Sequence, residues 1–170
     1  NGHKVLIFSF FKVNLNLIHE TLGAQSAGII SGDVGMDERQ GMIDEFTARE
    51  AGATLIGQID AAGVGLNIQA ANIVILCEPQ WKPSTELQAI GRAYRMGQTR
   101  NVIVYRLLSE ESIDEAITQV RDEKLKSFNL YANDSSVADV FKAQEVEINE
   151  AEVRKEAFEI ERKRLEEAKV

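Results

Sequence analysis

The sequence predicts an α/β fold: a doubly wound, mainly parallel sheet of about six strands flanked by helices, with a C-terminal helical extension. Three observations lead there. Short apolar, partly β-branched runs alternate with helix-length segments between residues 5 and 107, and strands separated by helices imply right-handed crossovers and parallel pairing. After Leu108 that alternation stops. Finally, 44% apolar residues in a chain of 170 are enough for one core of ordinary size.

Val5, Leu6, Ile7 and Phe8 form an apolar run ending at polar Ser9, which reads as a buried strand. Val13, Leu15, Leu17, Ile18 and Leu22 then recur near helical spacing until Gly23 breaks the pattern. Strands are expected over 27–30, 53–56, 73–77 and 102–107, with helices over 37–49 and 85–94. Ser112 and Glu115 make a capping box for a helix reaching about residue 130. The Asn-Asp-Ser-Ser run at 133–136 reads as a break. From about 145 to 170 the chain is dense in Glu, Lys and Arg, with Val146, Val153, Ala157 and Ile160 at helical intervals. The expected division is a sheet domain with its closing helix over 1–130 and a charged helical extension over 131–170.

Composition removes several function classes. The lone Cys77, with His3 and His19 far from it, supports neither an internal disulfide nor a cysteine-rich zinc site, and a reduced, cytosolic setting is expected. No apolar run approaches the roughly 18 residues of a spanning helix, and no signal-peptide layout opens the chain. A net charge of −8 argues against tight autonomous nucleic-acid binding, which leaves a basic footprint.

Ligands of doubly wound sheets bind at the carboxyl ends of the strands, so the loops after Phe8, Ile30, Ile56 and Cys77 are where chemistry is expected. The stretch 88–98, Q-A-I-G-R-A-Y-R-M-G-Q, is the most informative. Arg92 and Arg95 lie three apart on a predicted helix and project from one face, with Gly97 permitting a turn beyond them. Two planar, permanently charged forks suit a phosphate that gains charge in a transition state. An isolated pair of this kind more often binds surface carboxylates. Gly63 and Gly65 permit positive φ and close approach of backbone amides to a phosphate, although by itself such a pair marks a tight turn. Arg39 is a candidate phosphate contact, Ile43 and Phe46 are core, and Trp81 sits in a proline-flanked loop where packing is the commoner role.

The stretch 88–98 resembles motif VI of the Swi/Snf-type superfamily-2 ATPases, Q-x-x-x-R-x-H-R-x-G-Q, with Tyr94 in place of the usual His. Residues 61–67, A-A-G-V-G-L-N, resemble motif V, A-G-G-x-G-L-N, with Ala62 replacing a glycine and Gln58 and Asp60 standing where Ser and Lys are frequent. Trp81 and Lys82 resemble the family's D-W-N-P segment, residues 4–11 resemble motif IV, and Gly32, Arg39, Ile43 and Phe46 fit the stretch after the second strand. The resemblance runs from about residue 4 to 125, in the family's order. It implies the second RecA-like lobe, the helicase C-terminal domain, of such an ATPase, of bacterial type and cytoplasmic. It further implies Arg92 and Arg95 as finger residues, Gly63, Gly65 and Gln88 as nucleotide-binding, and Ser9, Arg39, Asn67, Trp81 and Lys82 as DNA-binding.

A G-x-x-x-x-G-K-[S/T] phosphate loop and a D-E-x-H strand do not occur in the chain. The expectation is a fragment, inactive by itself, whose partner is an N-terminal RecA-like lobe preceding Asn1. ATP with Mg²⁺ would bind only in the complete two-lobe protein, with no metal ligand from this chain. Duplex DNA, with a nucleoprotein or polymerase substrate, would be the further partner. A non-catalytic RecA-like interaction module is the alternative. A Rossmann-type enzyme fits the alternation but lacks G-x-G-x-x-G at the first strand.

Overall fold

The computed structural model describes residues 2–62, 66–133 and 149–168. They fall into two compact units, the first comprising Asn1–Glu78 and Thr85–Leu107, the second Pro79–Ser84 and Leu108–Val170. The chain passes into the second unit for Pro79–Ser84 and again after Leu107.

The first unit is built on β1 (Val5–Ser9), β2 (Ser26–Ile30), β3 (Thr54–Gln58), β4 (Ile73–Leu76) and β5 (Ile103–Arg106). Their order is β2-β3-β1-β4-β5 and every pairing is parallel. The sheet has five strands among the described residues, where about six were expected. Helices α1 (Lys12–Leu22), α2 (Met36–Ala48), α3 (Ile59–Ala62) and α4 (Pro83–Ile90) connect them.

Alternate side chains explain which face became the core. Leu6 and Phe8 of β1 stand in register with Val74 and Leu76 of β4, and all four are essentially inaccessible. Ile43 and Phe46 of α2, with Ala89 and Ala93, close over them. Buried Glu86 of α4 accepts from Arg106 Nε at 2.8 Å, tying that helix to the edge strand. The opposite face is more open, and Ile103 and Tyr105 of β5 are 42% and 51% exposed.

The chain leaves β1 for β2 at one edge, returns to β3, then crosses β1 to reach β4. The strand order therefore reverses across β1, and a crevice is expected outside the carboxyl ends of β3, β1 and β4.

In the second unit α5 (Ile113–Asn133) pairs with α6 (Glu150–Glu167). Ala116, Ile117 and Val120 bury against Val153 and Ala157, so the charged extension carries a narrow apolar stripe. Lys124 Nζ bridges Glu152 at 3.4 Å and Glu156 at 2.9 Å, and those two carboxylates help to raise its pKa. Ser112 Oγ accepts from the Asp114 N–H, while the Asp114 carboxylate, instead of that of Glu115, reaches back to the Ser109 N–H. Asn149 caps α6 by accepting from the Ala151 N–H at 3.0 Å. Val146 and most of the expected break at 133–136 lie outside the described residues. Among the described residues no helix is long and apolar enough to cross a membrane.

Candidate functional site

The carboxyl ends of the central strands are laced together by side chains. Ser9, wholly buried, donates to Glu78 Oε2 at 3.1 Å and accepts from the Phe11 N–H at 3.1 Å. The other Glu78 oxygen accepts from the Phe10 N–H. Gln58, at the end of β3, donates to Phe10 O at 3.5 Å and accepts from the Gly32 N–H at 3.3 Å. The Ser9 hydroxyl is therefore engaged inside the protein, whereas Phe10 and Phe11 are about half exposed. Beside them Cys77 has its thiol pushed up to about 11, first by burial and then by the Glu78 charge.

Arg39, expected to meet phosphate, is turned inward. Nε donates to Val34 O at 2.8 Å, Nη2 to Ser31 O at 2.9 Å and Nη1 to Ala61 O at 3.2 Å. One guanidinium thus satisfies three carbonyls and fastens the loop after β2 to α3. A planar fork with five donors can do this where an ammonium cannot.

The arginine pair lies elsewhere in the first unit than expected. Helix α4 starts just after β4 and, as a crossover helix, returns the chain toward the start of β5. The loop after it therefore stands at the amino end of the sheet, not the carboxyl end. The helix also stops at Ile90, four residues before the predicted end. From there the Arg92 and Ala93 N–H groups bond Ala89 O at 3.2 Å and Ile90 O at 3.0 Å, the tighter i to i−3 pattern. Arg92 and Arg95 occupy this turn, anchored by fully buried Ala93, and do not share a helix face. They remain electrostatic neighbours: burial first, and the Arg95 charge second, lower the Arg92 pKa. Two cations held close together favour an anion that both can approach. Gln88 is exposed on the last turns of α4.

The segment after α3 reaches the same turn. From Leu66 onward it leads into the amino end of β4. The Ile68 N–H donates to Arg92 O at 3.0 Å. Asn67, exposed between buried Leu66 and Ile68, is adjacent in sequence to that bond. Gly63 and Gly65 lie outside the described residues.

Two glutamines complete the junction, and sequence reasoning assigned a role to neither. Gln98 Nε2 donates to Gln69 O at 2.9 Å, Ala71 O at 3.0 Å and Ala93 O at 3.3 Å, and its Oε1 accepts from the Arg100 N–H at 3.0 Å. Gln69 Nε2 in turn donates to Met96 O at 2.7 Å. Between them Gly97 has φ +103°, a conformation in which side chains are strained. The only advance signal was the place of Gln98 at the end of the arginine stretch.

Trp81 and Lys82 belong to the second unit. Trp81 packs against Phe158 at 6.2 Å between ring centroids, and the Arg154 guanidinium lies 5.3 Å from its ring centre. Lys82 is exposed and pairs with Glu150 at 3.6 Å. Packing is the visible role of the tryptophan, while the lysine head is available to solvent.

The family described as the helicase conserved C-terminal domain matches residues 1–97. The SWI/SNF-related matrix-associated actin-dependent regulator of chromatin subfamily A containing DEAD/H box 1 homolog of Drosophila melanogaster is 35% identical over 127 residues, covering 74% of this chain and 15% of that protein. The CHD3-type chromatin-remodeling factor PICKLE of Arabidopsis thaliana is 36% identical over 127 residues, covering 73% of this chain and 9% of that protein. Among solved structures, the C-terminal part of the Fun30 ATPase domain superposes with a TM-score of 0.64 at 34% identity, covering 69% of this chain and 38% of that one. The chain spans 15% or less of the length of these two curated relatives. Both are eukaryotic proteins, so they lend no support to a bacterial type.

Proposed function

The chain belongs to the helicase conserved C-terminal domain family, and from that premise we propose that it is the second lobe of a Snf2-type, DNA-dependent ATPase that translocates along duplex DNA. The observation that carries the proposal is the Arg92 and Arg95 pair, two neighbouring guanidiniums on a turn hydrogen-bonded to the segment that bears Asn67.

The residues present suit the arginine half of a split nucleotide site, the phosphate loop being assigned to another lobe. Arg92 and Arg95 would hold phosphate oxygens of ATP, and Gln88, Gly63 and Gly65 would line the nucleotide. The nucleotide with Mg²⁺ supplies a phosphoanhydride whose cleavage drives the cycle, and the metal's ligands are assigned to another lobe. Arg92 stays protonated at neutral pH despite its lowered pKa. The arginines offer fixed positive charge where the equatorial oxygens become more negative, and they transfer no proton. Donors already in place act without reorganisation, which is the larger part of catalysis in phosphoryl transfer.

On the nucleic-acid side, Asn67 and Lys82 are the proposed duplex contacts. Ser9 and Arg39 act from behind, by fixing the loops at the carboxyl ends of the sheet. The acidic chain, with net charge −8, makes these contacts few, so this chain's share of the salt slope of duplex binding is small. The names of the relatives, which are chromatin-remodelling factors, favour a nucleoprotein over a polymerase as the object that is moved.

The test is carried out on the full-length protein that contains this chain. Duplex-stimulated ATP hydrolysis together with displacement of a triplex-forming strand, without separation of the duplex, is the expected result. Absence of any duplex-stimulated hydrolysis would transfer the chain to the class of non-catalytic interaction modules.

A further inference from the structure

We propose that Gln98 and Gln69 are positioning residues for ATP hydrolysis: together they clamp the arginine turn to the segment 68–71, and through that clamp they set where Arg92 and Arg95 stand. The inference rests on the reading of those arginines as finger residues.

The geometry is that of a double amide clamp. From the turn side, Gln98 sends its amide nitrogen to the carbonyls of Gln69 and Ala71 on the opposite segment and of Ala93 within the turn, at 2.9, 3.0 and 3.3 Å. From the segment side, Gln69 sends its amide nitrogen to Met96 O, directly after Arg95, at 2.7 Å. The Ile68 N–H to Arg92 O bond is a third fastening, at 3.0 Å. Arg92 and Arg95 thus lie between attachments at residues 92, 93, 96 and 98. The Arg100 N–H fixes the orientation of the Gln98 amide by bonding its oxygen at 3.0 Å, leaving the nitrogen toward the carbonyls.

Apolar packing fixes little of the turn. Helix α4 has ended, Tyr94 and Met96 are 71% and 97% exposed, and Ala93 alone of residues 91–98 is buried. In addition, each arginine is repelled by the other. A finger displaced by about 1 Å can cost on the order of 10²-fold in rate, so the polar clamp, and not apolar packing, would hold the two guanidiniums to the transition state.

Gln98→Glu keeps the shape and turns a donor into an oxygen facing three carbonyls. Gln69→Ala removes one exposed-side bond and serves if the first variant folds poorly. Gln40→Ala, on α2 and bonded to Asp44, is the control for losing a glutamine. In the full-length protein, Gln98→Glu and Gln69→Ala should each lower kcat of duplex-stimulated ATP hydrolysis by about tenfold or more. KM for ATP and duplex affinity should stay at wild-type values, and kcat per folded molecule should still fall, because a transition-state contact appears in kcat. The double variant Gln69→Ala/Gln98→Glu should lose less than the product of the two single losses, since both act through one turn. Unchanged kcat in both glutamine variants, alongside a large loss in Arg92→Ala, overturns the clamp and leaves the finger reading intact. A loss of kcat that only tracks a fall in folded fraction overturns it as well. Unchanged kcat in Arg92→Ala itself overturns the finger reading beneath it.

Discussion

Replacing Arg39 by Ala separates two roles that the sequence allowed for it. Its guanidinium donates to the carbonyls of Val34, Ser31 and Ala61 at 2.8, 2.9 and 3.2 Å. Hydrogen bonds to a charged group contribute about 1.5 to 3 kcal/mol each in protected surroundings. Val34 and Ser31 lie in the loop after β2 and Ala61 in α3, all of them part-buried, so about half of that sum, roughly 2 to 4.5 kcal/mol, is the expected loss. Arg39→Lys should recover only about a third of it, because an ammonium cannot span three acceptors in fork geometry. The assay is amide hydrogen exchange over the loop after β2 and over α3, which reports local opening without requiring two-state unfolding of a two-unit chain. Alongside it, the salt dependence of duplex binding is measured in the full-length protein. Faster exchange with an unchanged salt slope is the expected pair of results. Unchanged exchange, with a slope reduced by about one, would refute the inward role and return Arg39 to the phosphate backbone.

Other residues give independent expectations. Gly97→Ala meets no steric obstacle, its nearest neighbour being Gln69 at 3.5 Å, so its cost is the backbone strain of φ +103°, about 1 to 3 kcal/mol; faster exchange of the Gln98 N–H, which bonds Arg95 O, and slower ATP turnover should accompany it. Cys77, with its thiol raised to about 11, should react with iodoacetamide at pH 8 about a hundredfold more slowly than a free cysteine; a rate like that of the unfolded chain contradicts this. The sign for stability follows: the unfolded chain ionises first, near its ordinary 9.0, so any contribution from the neutral thiol is complete below that pH and is lost between there and about 11. Trp81→Ala should loosen the second unit by about 2 to 3 kcal/mol, read as earlier loss of helical circular dichroism. As Trp81 is the sole tryptophan, its emission in Phe158→Ala should move to the red.

Alternation was the legible part of the fold. Every predicted strand is present within two residues of its expected ends, because apolar β-branched runs between turn residues have few other uses. The arginine turn was less legible: Gly91 directly follows the last residue of α4, but Ala93 and Tyr94 carry no signal of the turn that follows, which is held by the seating of Ala93 in the core and the bond from Gln98. Ser9 looked ligand-facing because it is polar at a strand end, yet its partner Glu78 is 69 residues away and no local pattern announces it. Likewise Trp81 has its aromatic partner on α6, at Phe158. The stripe of Val153 and Ala157 was visible as spacing, but only two small side chains inside a charged run, and whether such a stripe is solvated or buried depends on a facing helix. The glutamine clamp needed three dimensions throughout, since amides bond carbonyls wherever the chain brings them.

Duplex-stimulated ATP turnover of Arg92→Ala and Arg95→Ala in the full-length protein tests the proposed function most directly. A finger that stabilises only the transition state predicts a fall in kcat of about 10³ to 10⁵, with duplex affinity within about twofold of wild type because neither side chain is assigned to the DNA. Turnover unchanged in both variants would contradict the assignment.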